Sequence, residues 1–307
     1  MAKYGPAALV AALLVATGAA FVYTESLKLA PSPLKAVKVT RLFSPVCDCD
    51  RRAARIAFAL RKPDIVTVSI IDSDGSEVRR IAIARPRLGG PAVFLWNGRD
   101  DYKQVVPPGS YRATVRLDLV EKTITLPNRI VVDSTAPTVS VVGVAPRVFS
   151  PDRDGRADRV MVTYRLNEPA RVELWVDGIR RVVGHRLHPR GELQWYGRID
   201  GHVVREGTHR LELVGTDLAG NRTSRVPAGS IRIRYVELSK PVYRVALGRR
   251  FSVRVDTDAA RVRWRLGQRT GTGRPPVLRL RAPDQAGLFR LAVHTGGHVA
   301  RARVVVR

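Results

Sequence analysis

Residues 149–166 read FSPDRDGRADRVMVTYRL, and residues 43–60 read FSPVCDCDRRAARIAFAL. The two segments align without a gap, because Phe-Ser-Pro opens both and Asp48 matches Asp154. A repeat spacing of about 100 residues suits one β-sandwich domain and is too long for a solenoid unit. The chain therefore contains two related domains.

A second shared motif follows in each repeat. Residues 96–101 read WNGRDD and residues 195–200 read WYGRID. We interpret Trp96 and Trp195 as core residues that pack under the following turn, since a matching position in both repeats fits a shared packing role. The alternative is an exposed aromatic side chain that binds sugar.

Alternating side chains indicate strands in these repeats. In residues 160–166 and 172–176, apolar side chains occupy every second position and polar or charged ones fill most of the others. This period of two places one face of a strand on a core and the other in water. Turn residues such as Asp177-Gly178 separate the runs. The pattern predicts an all-β chain of sandwich domains.

The order of these motifs resembles the immunoglobulin-like domain of the bacterial flagellar hook-capping protein. The resemblance rests on FSP-x-x-D, on W-x-G-R-x-D and on PPGSYR at residues 107–112, with VDSTAP at residues 132–137 similar to a linker between such repeats. It covers about residues 37–236 and implies tandem immunoglobulin-like β-sandwich domains. Such modules serve as spacers, adhesive units or assembly scaffolds, so the resemblance implies no single function.

The N-terminal segment predicts one transmembrane helix. Residues 5–23 carry no charge, and as a helix they would span about 28 Å, close to the thickness of a bilayer core. We favour an uncleaved signal anchor over a cleaved signal peptide, because apolar residues 21–23 continue beyond the small residues 18–20. The predicted location is the cell membrane, single-pass, with the domains on the extracytoplasmic side. The alternative is secretion after cleavage. Basic residues after the span oppose this orientation.

These features divide the chain into five segments. Residues 1–27 form the anchor or signal segment, and residues 28–36 form a linker. Two immunoglobulin-like domains follow at 37–133 and 134–236. Residues 237–307 lack both motifs but still alternate, which predicts a third, basic immunoglobulin-like domain.

Positive charge dominates the sequence, with 53 Lys+Arg against 27 Asp+Glu and a net charge of +26. The arginines indicate either an anionic polymer as partner or a solvated strand surface. In the third domain we predict that Arg263, Arg265, Arg279 and Arg281 form one polyanion-binding face. The expected partners are anionic cell-wall polymer or other envelope proteins. Nucleic acid is not expected, because Trp264 falls on the apolar side of its strand and no stacking signature remains.

Asp152, Asp154 and Asp158 are the candidate metal ligands. Carboxylates at spacings of two and four with a glycine between them can surround calcium, while Arg153 and Arg156 place positive charge among them. The alternative is an Asp-rich turn without a metal. No other cofactor is expected.

The two cysteines, Cys47 and Cys49, lack a second Cys or His pair at ligand spacing, which argues against zinc. They form either a tight disulfide or free thiols.

No nucleophile elbow, phosphate-binding loop or zinc-protease motif is present, so we expect no enzymatic activity. The sequence favours a non-enzymatic structural or adhesive protein of the cell envelope. The alternative function is polyanion binding through the Arg-rich third domain.

Overall fold

The computed structural model describes residues 5–29, 31–199 and 202–307; the side chains of residues 5–7, 24–29 and 199 are not described. One helix, α1 (Gly5–Leu29), precedes a succession of strands. The chain divides into two compact units, Met1–Ser134 and Thr135–Arg307. The predicted all-β class is confirmed for the part of the chain that follows the helix.

The first unit contains one β-sandwich, the first sandwich. Its three-stranded sheet has the order β1-β3-β6, and its five-stranded sheet has the order β2-β8-β7-β4-β5. The strands are β1 (Leu34–Val39), β2 (Leu42–Phe43), β3 (Ala54–Leu60), β4 (Asp64–Ile71), β5 (Glu77–Arg87), β6 (Gly90–Trp96), β7 (Gly109–Leu117) and β8 (Lys122–Val132). Strand β1 begins inside the predicted linker 28–36, and Leu34 is buried in the core.

The second unit contains two more hydrophobic cores, each inside a sandwich with the same strand order. The second sandwich pairs β9-β11-β14 with β10-β18-β17-β12-β13, and the third pairs β19-β21-β24 with β20-β26-β25-β22-β23. The second sandwich, with a small β15-β16 ribbon, is built from β9 (Val139–Ala145), β10 (Val148–Phe149), β11 (Val160–Leu166), β12 (Ala170–Val176), β13 (Ile179–Val183), β14 (Arg190–Trp195), β15 (Arg198–Ile199), β16 (His202–Val203), β17 (Gly207–Asp217) and β18 (Val226–Ile233). The third is built from β19 (Glu237–Leu238), β20 (Val242–Val245), β21 (Arg250–Asp256), β22 (Val262–Leu266), β23 (Arg269–Gly273), β24 (Val277–Arg281), β25 (Gly287–Thr295) and β26 (His298–Val306).

Each sandwich opens with a strand that changes sheets. In the first, β1 pairs antiparallel with β3 in the smaller sheet, and β2 then pairs parallel with β8 in the larger sheet. The same switch joins β9 to β10 and β19 to β20. Because the third sandwich repeats it without the FSP motif, the switch belongs to the shared immunoglobulin-like topology. The predicted residue boundaries between the domains stay predictions.

The alternating pattern predicted from sequence places apolar side chains in the cores. In β11, buried and exposed or half-buried positions alternate strictly, with Val160, Val162 and Tyr164 inside. The other core of the second unit is filled mainly by valine and leucine, including Val253, Val262 and Leu291. Burial of these aliphatic side chains is the main stabilising term of each sandwich.

The FSP and W-x-G motifs form one packed corner in each repeat. The Phe43 ring meets the Trp96 ring edge-on with centroids 5.5 Å apart, and Phe149 meets Trp195 at 5.9 Å. Both tryptophans are buried. The Trp96 indole donates to the carbonyl of Arg99 at 3.0 Å, as Trp195 does to Arg198 at 3.1 Å. The interpretation of the tryptophans as core residues under the following turn is confirmed.

The glycine of the second motif completes the corner. Gly98 and Gly197 have φ values of 69° and 62°. A Cβ on Gly98 would lie 2.7 Å from Pro45, and a Cβ on Gly197 would lie 2.6 Å from Pro151. The proline of FSP therefore requires a residue without a side chain opposite it.

The N-terminal helix α1 runs from Gly5 to Leu29. Within the residues that the structure describes, no helix has the length and apolar character needed to cross a membrane. The predicted anchor of residues 1–27 falls partly on residues outside that description and stays a prediction.

The variant Gly98→Ala tests whether the packed corner requires glycine at this position. Gly75→Ala is the control. Gly75 also has a positive φ, but a Cβ added there would have no atom within 4 Å. Gly75→Ala should lose about 1–2 kcal/mol of unfolding free energy from backbone strain alone. Gly98→Ala should lose about 1–3 kcal/mol more, because its new methyl group overlaps Pro45. Urea unfolding of the two variants measures the difference. Equal losses would show that the Pro45 contact does not require glycine.

Candidate functional site

The loop after β10 is organised by carboxylates that bind backbone N–H groups. Asp158 accepts from the amide of Arg153 at 2.6 Å through Oδ1 and from the amide of Gly155 at 2.8 Å through Oδ2. Asp154 Oδ1 accepts from the amide of Arg156 at 2.8 Å. Both oxygens of Asp158 are therefore engaged in holding the loop.

The first repeat holds the matching loop by a covalent bond. Cys47 and Cys49 form a disulfide in the structure, which is the first of the two predicted states. In the gapless alignment these cysteines match Arg153 and Gly155, the residues whose amides Asp158 binds. Arg52 stands at the position of Asp158. The first repeat thus has a disulfide where the second has the two hydrogen bonds from loop amides to Asp158. We call this pair of hydrogen bonds the carboxylate clasp.

The structure gathers Asp152 and Asp154 with Asp258 rather than with Asp158. One carboxylate oxygen from each of these three residues lies within 4.8 Å of the other two. Asp258 follows β21 in the third sandwich and is about 100 positions away in sequence. Sequence reasoning missed it, because no motif surrounds it and the only signal is an acidic residue in a strongly basic segment.

The second and third sandwiches meet at this acidic cluster, which we define as Asp152, Asp154 and Asp258. The hydroxyl of Ser150, the buried serine of FSP, donates to Asp258 Oδ2. Thr257 Oγ1 donates to the carbonyl of Tyr235 at 2.7 Å. The cluster therefore lies in a defined contact between two sandwiches of one compact unit.

Burial and like charge act together on the cluster. Burial raises the pKa of Asp152, and the negative charges of Asp154 and Asp258 raise it further. The pKa of Asp258 is also raised, chiefly by burial, although the hydrogen bond from Ser150 opposes the rise. The carboxylates are thus held together at an electrostatic cost.

The four arginines predicted to form one polyanion-binding face do not share a face. Arg263 and Arg265 lie on β22 in the five-stranded sheet, whereas Arg279 and Arg281 lie on β24 in the three-stranded sheet. The inward residues of both strands fill the core between the sheets, so the two arginine pairs point away from opposite sides of the sandwich.

The five-stranded sheet nevertheless carries a continuous basic surface, here called the arginine face. It consists of the arginines on β20, β22, β25 and β26, which are all exposed: Arg244, Arg263, Arg265, Arg290, Arg301 and Arg303. No Asp or Glu occurs in any strand of this sheet. No ion pair involves these six arginines within the part of the chain that the structure describes. By contrast, Arg269 on the edge strand β23 lies 2.7 Å from Asp284, and Arg281 on the other sheet lies 3.7 Å from it.

Asp158→Ala tests the carboxylate clasp. Loss of its two hydrogen bonds to backbone amides should lower the unfolding free energy by about 1–3 kcal/mol. Asp158→Asn should lose less, since one carbonyl oxygen remains as an acceptor. Arg156→Ala, an exposed position in the same loop, is the control and should be nearly neutral. Urea denaturation compares the three variants, and a loss no greater than that of the control would contradict the clasp.

The sequence matches no protein-family model and no curated protein. Among solved structures, the chain is similar to fibronectin(III)-like modules of Clostridium thermocellum CbhA, with 14% identity and a TM-score of 0.35 over 64% of this chain and 92% of that one. The I67–I69 fragment of titin matches with 9% identity and a TM-score of 0.35 over 90% of this chain and 99% of that one. FlgD from P. aeruginosa matches with 22% identity and a TM-score of 0.23 over 43% of this chain and 88% of that one. At these identities and TM-scores we draw no functional inference from the likenesses.

Proposed function

We propose that the chain is a non-enzymatic structural or adhesive protein of the cell envelope that presents tandem immunoglobulin-like domains. The observation that carries the proposal is the repetition of one strand order in three successive sandwiches. Each of the three sandwiches is filled by its own hydrophobic core, so the repetition multiplies exposed strand surface. The role that fits this arrangement is presentation of surfaces.

The disulfide between Cys47 and Cys49 supports a location outside the cytoplasm. Disulfides persist in oxidising compartments and are rare where cellular thiols keep cysteines reduced. We propose that the N-terminal helix acts as the export signal. In the single-pass form of the proposal it remains in the chain as a signal anchor. In the secreted form it is cleaved off.

A broad surface depression is formed by exposed strand surface, which fits the presentation of a surface. It lies in the first sandwich and is lined by Thr67, Ser69, Arg80, Thr114 and Arg116, together with acidic and apolar neighbours and no histidine or cysteine. Several of these side chains lie on neighbouring strands of the five-stranded sheet. This arrangement is an open strand surface rather than a closed site that excludes water.

Protease treatment of spheroplasts tests the location. With an epitope tag placed after Arg307, we expect added protease to remove the tag while a cytoplasmic marker stays intact. The N-terminal sequence of the mature chain separates the anchor from the cleaved signal. Protection of the tag until the membrane is dissolved would contradict the envelope location.

Binding of an anionic polymer is the second candidate function, and the arginine face favours it. Arg290 and Arg303 are cross-strand partners on β25 and β26, and Arg301 lies on the same side of β26. Like charges directly opposite one another on a sheet are destabilising. A polyanion lying across these strands would relieve that repulsion.

The chemistry of the face indicates the kind of polymer. Guanidinium groups bind phosphate and carboxylate through paired hydrogen bonds. Trp264 packs against the core from the inner side of β22, so it offers no stacking platform on this face. We therefore propose an anionic wall polymer as the partner, with single-stranded nucleic acid disfavoured.

Charge reversal on matched sheets tests this second function. Arg265→Glu/Arg301→Glu alters the arginine face, and Arg250→Glu/Arg279→Glu makes the same change in net charge on the opposite sheet. Binding of polyphosphate and polyglutamate should fall at least about tenfold in the first variant, with a shallower salt dependence. The second variant should keep most of the affinity. Equal losses in both variants would indicate an effect of net charge rather than of the face.

A further inference from the structure

The acidic cluster has the donor chemistry of a site for a hard divalent cation. Its ligand atoms are all carboxylate oxygens and lie within 4.8 Å of one another. Calcium binds oxygen at 2.3–2.6 Å, so two ligands on opposite sides of one ion are about 5 Å apart. The three oxygens therefore fit around a single ion without a large rearrangement.

One carboxylate oxygen of the cluster is buried without a hydrogen-bond donor among the described residues. Asp258 Oδ2 accepts from the Ser150 hydroxyl, but Oδ1 is buried and has no hydrogen-bond partner among the described residues. A buried carboxylate oxygen without a donor is costly, and it is a reason to look for a bound ion.

A buried hydroxyl group gives an independent indication from outside the carboxylates. Tyr235 is 1% exposed, and its hydroxyl has no hydrogen-bond partner within the described part of the chain. Burial raises the pKa of Tyr235 to about 12, and the negative charge of Asp152 contributes to the rise. Its ring stacks on His298 with centroids 3.5 Å apart, which fixes its position at the contact between the sandwiches.

A second segment of the third sandwich also approaches the cluster. A Cβ on Gly296, which precedes β26, would lie 3.4 Å from Asp152 Oδ2. The third sandwich thus approaches the cluster from two segments, one containing Asp258 and one containing Gly296. An ion bound here would be held between both sandwiches.

We propose that Asp152, Asp154 and Asp258 bind one calcium ion and that the ion joins the FSP loop of the second sandwich to the third sandwich. In this proposal the unpartnered hydroxyl of Tyr235 supplies a further oxygen or a hydrogen bond to ion-bound water. Asp158 serves the loop backbone and is not a ligand. This inference goes beyond the proposed function and depends on neither of its forms.

The two repeats provide an internal contrast. Val46 in the first repeat stands where the second has Asp152, and the disulfide holds its loop. The first repeat therefore lacks this ligand set.

Calcium titration of the full-length chain, purified in detergent and stripped with EDTA, tests the proposal. Isothermal calorimetry should detect calcium binding with a Kd at or below about 1 mM, as in extracellular calcium modules. Thermal unfolding of the calcium-loaded chain should occur at a higher temperature than in EDTA. No binding heat and no thermal shift at about 1 mM calcium would overturn the proposal.

Variants on both sides of the contact identify the ligands. Asp258→Asn keeps the acceptor for Ser150 and should weaken calcium binding at least about tenfold, although it lies in the other sandwich from the loop. Asp154→Asn, at an exposed position, should do the same and guards against misfolding at Asp258. Asp284→Asn, an exposed carboxylate of the third sandwich, should leave the affinity unchanged. Full affinity in folded Asp258→Asn would reject the bridging site.

Discussion

The packed corner of phenylalanine, tryptophan, proline and glycine is the constraint on which each repeat depends. The aromatic rings of Phe149 and Trp195 meet edge-on, and the backbone of Gly197 passes against Pro151 in a conformation that favours glycine. This contact ties the strand that changes sheets to the end of β14. It fixes where the chain leaves β10, and therefore where the following loop and its aspartates lie.

The loops that follow this corner are held by different bonds in the two repeats. In the first repeat a disulfide joins the positions on either side of Asp48, while in the second the carboxylate of Asp158 binds the amides of the matching positions. Asp152 and Asp154 each accept one loop amide through Oδ1, whereas Asp158 uses both of its oxygens. Ser150 then reaches Asp258, and the loop becomes part of the contact between two sandwiches.

Sheet topology also sorts the arginines of the third sandwich into two environments. On the three-stranded sheet, acidic neighbours accompany the arginines, as in the contact between Arg254 and Asp256 at 3.6 Å. On the five-stranded sheet the strands carry no acidic residue at all. The two surfaces have similar sequence patterns but different electrostatic fields. Only the three-stranded sheet carries acidic residues on its own strands.

The sequence by itself determined the local features of this protein. Alternation of side chains reports which face of a strand is buried, so the strands, the turns and the burial of Trp96 and Trp195 could be predicted. Asp152 and Asp154 could also be chosen, because close spacing on one loop brings carboxylates together. Only the tertiary structure decided which strands share a sheet, and it separated Arg279 from Arg263. It also brought Asp258 to the loop from about 100 residues away. Pairing between strands and contact between sandwiches depend on complementary surfaces distant in sequence, and the periodicity of a single strand carries no record of its partner.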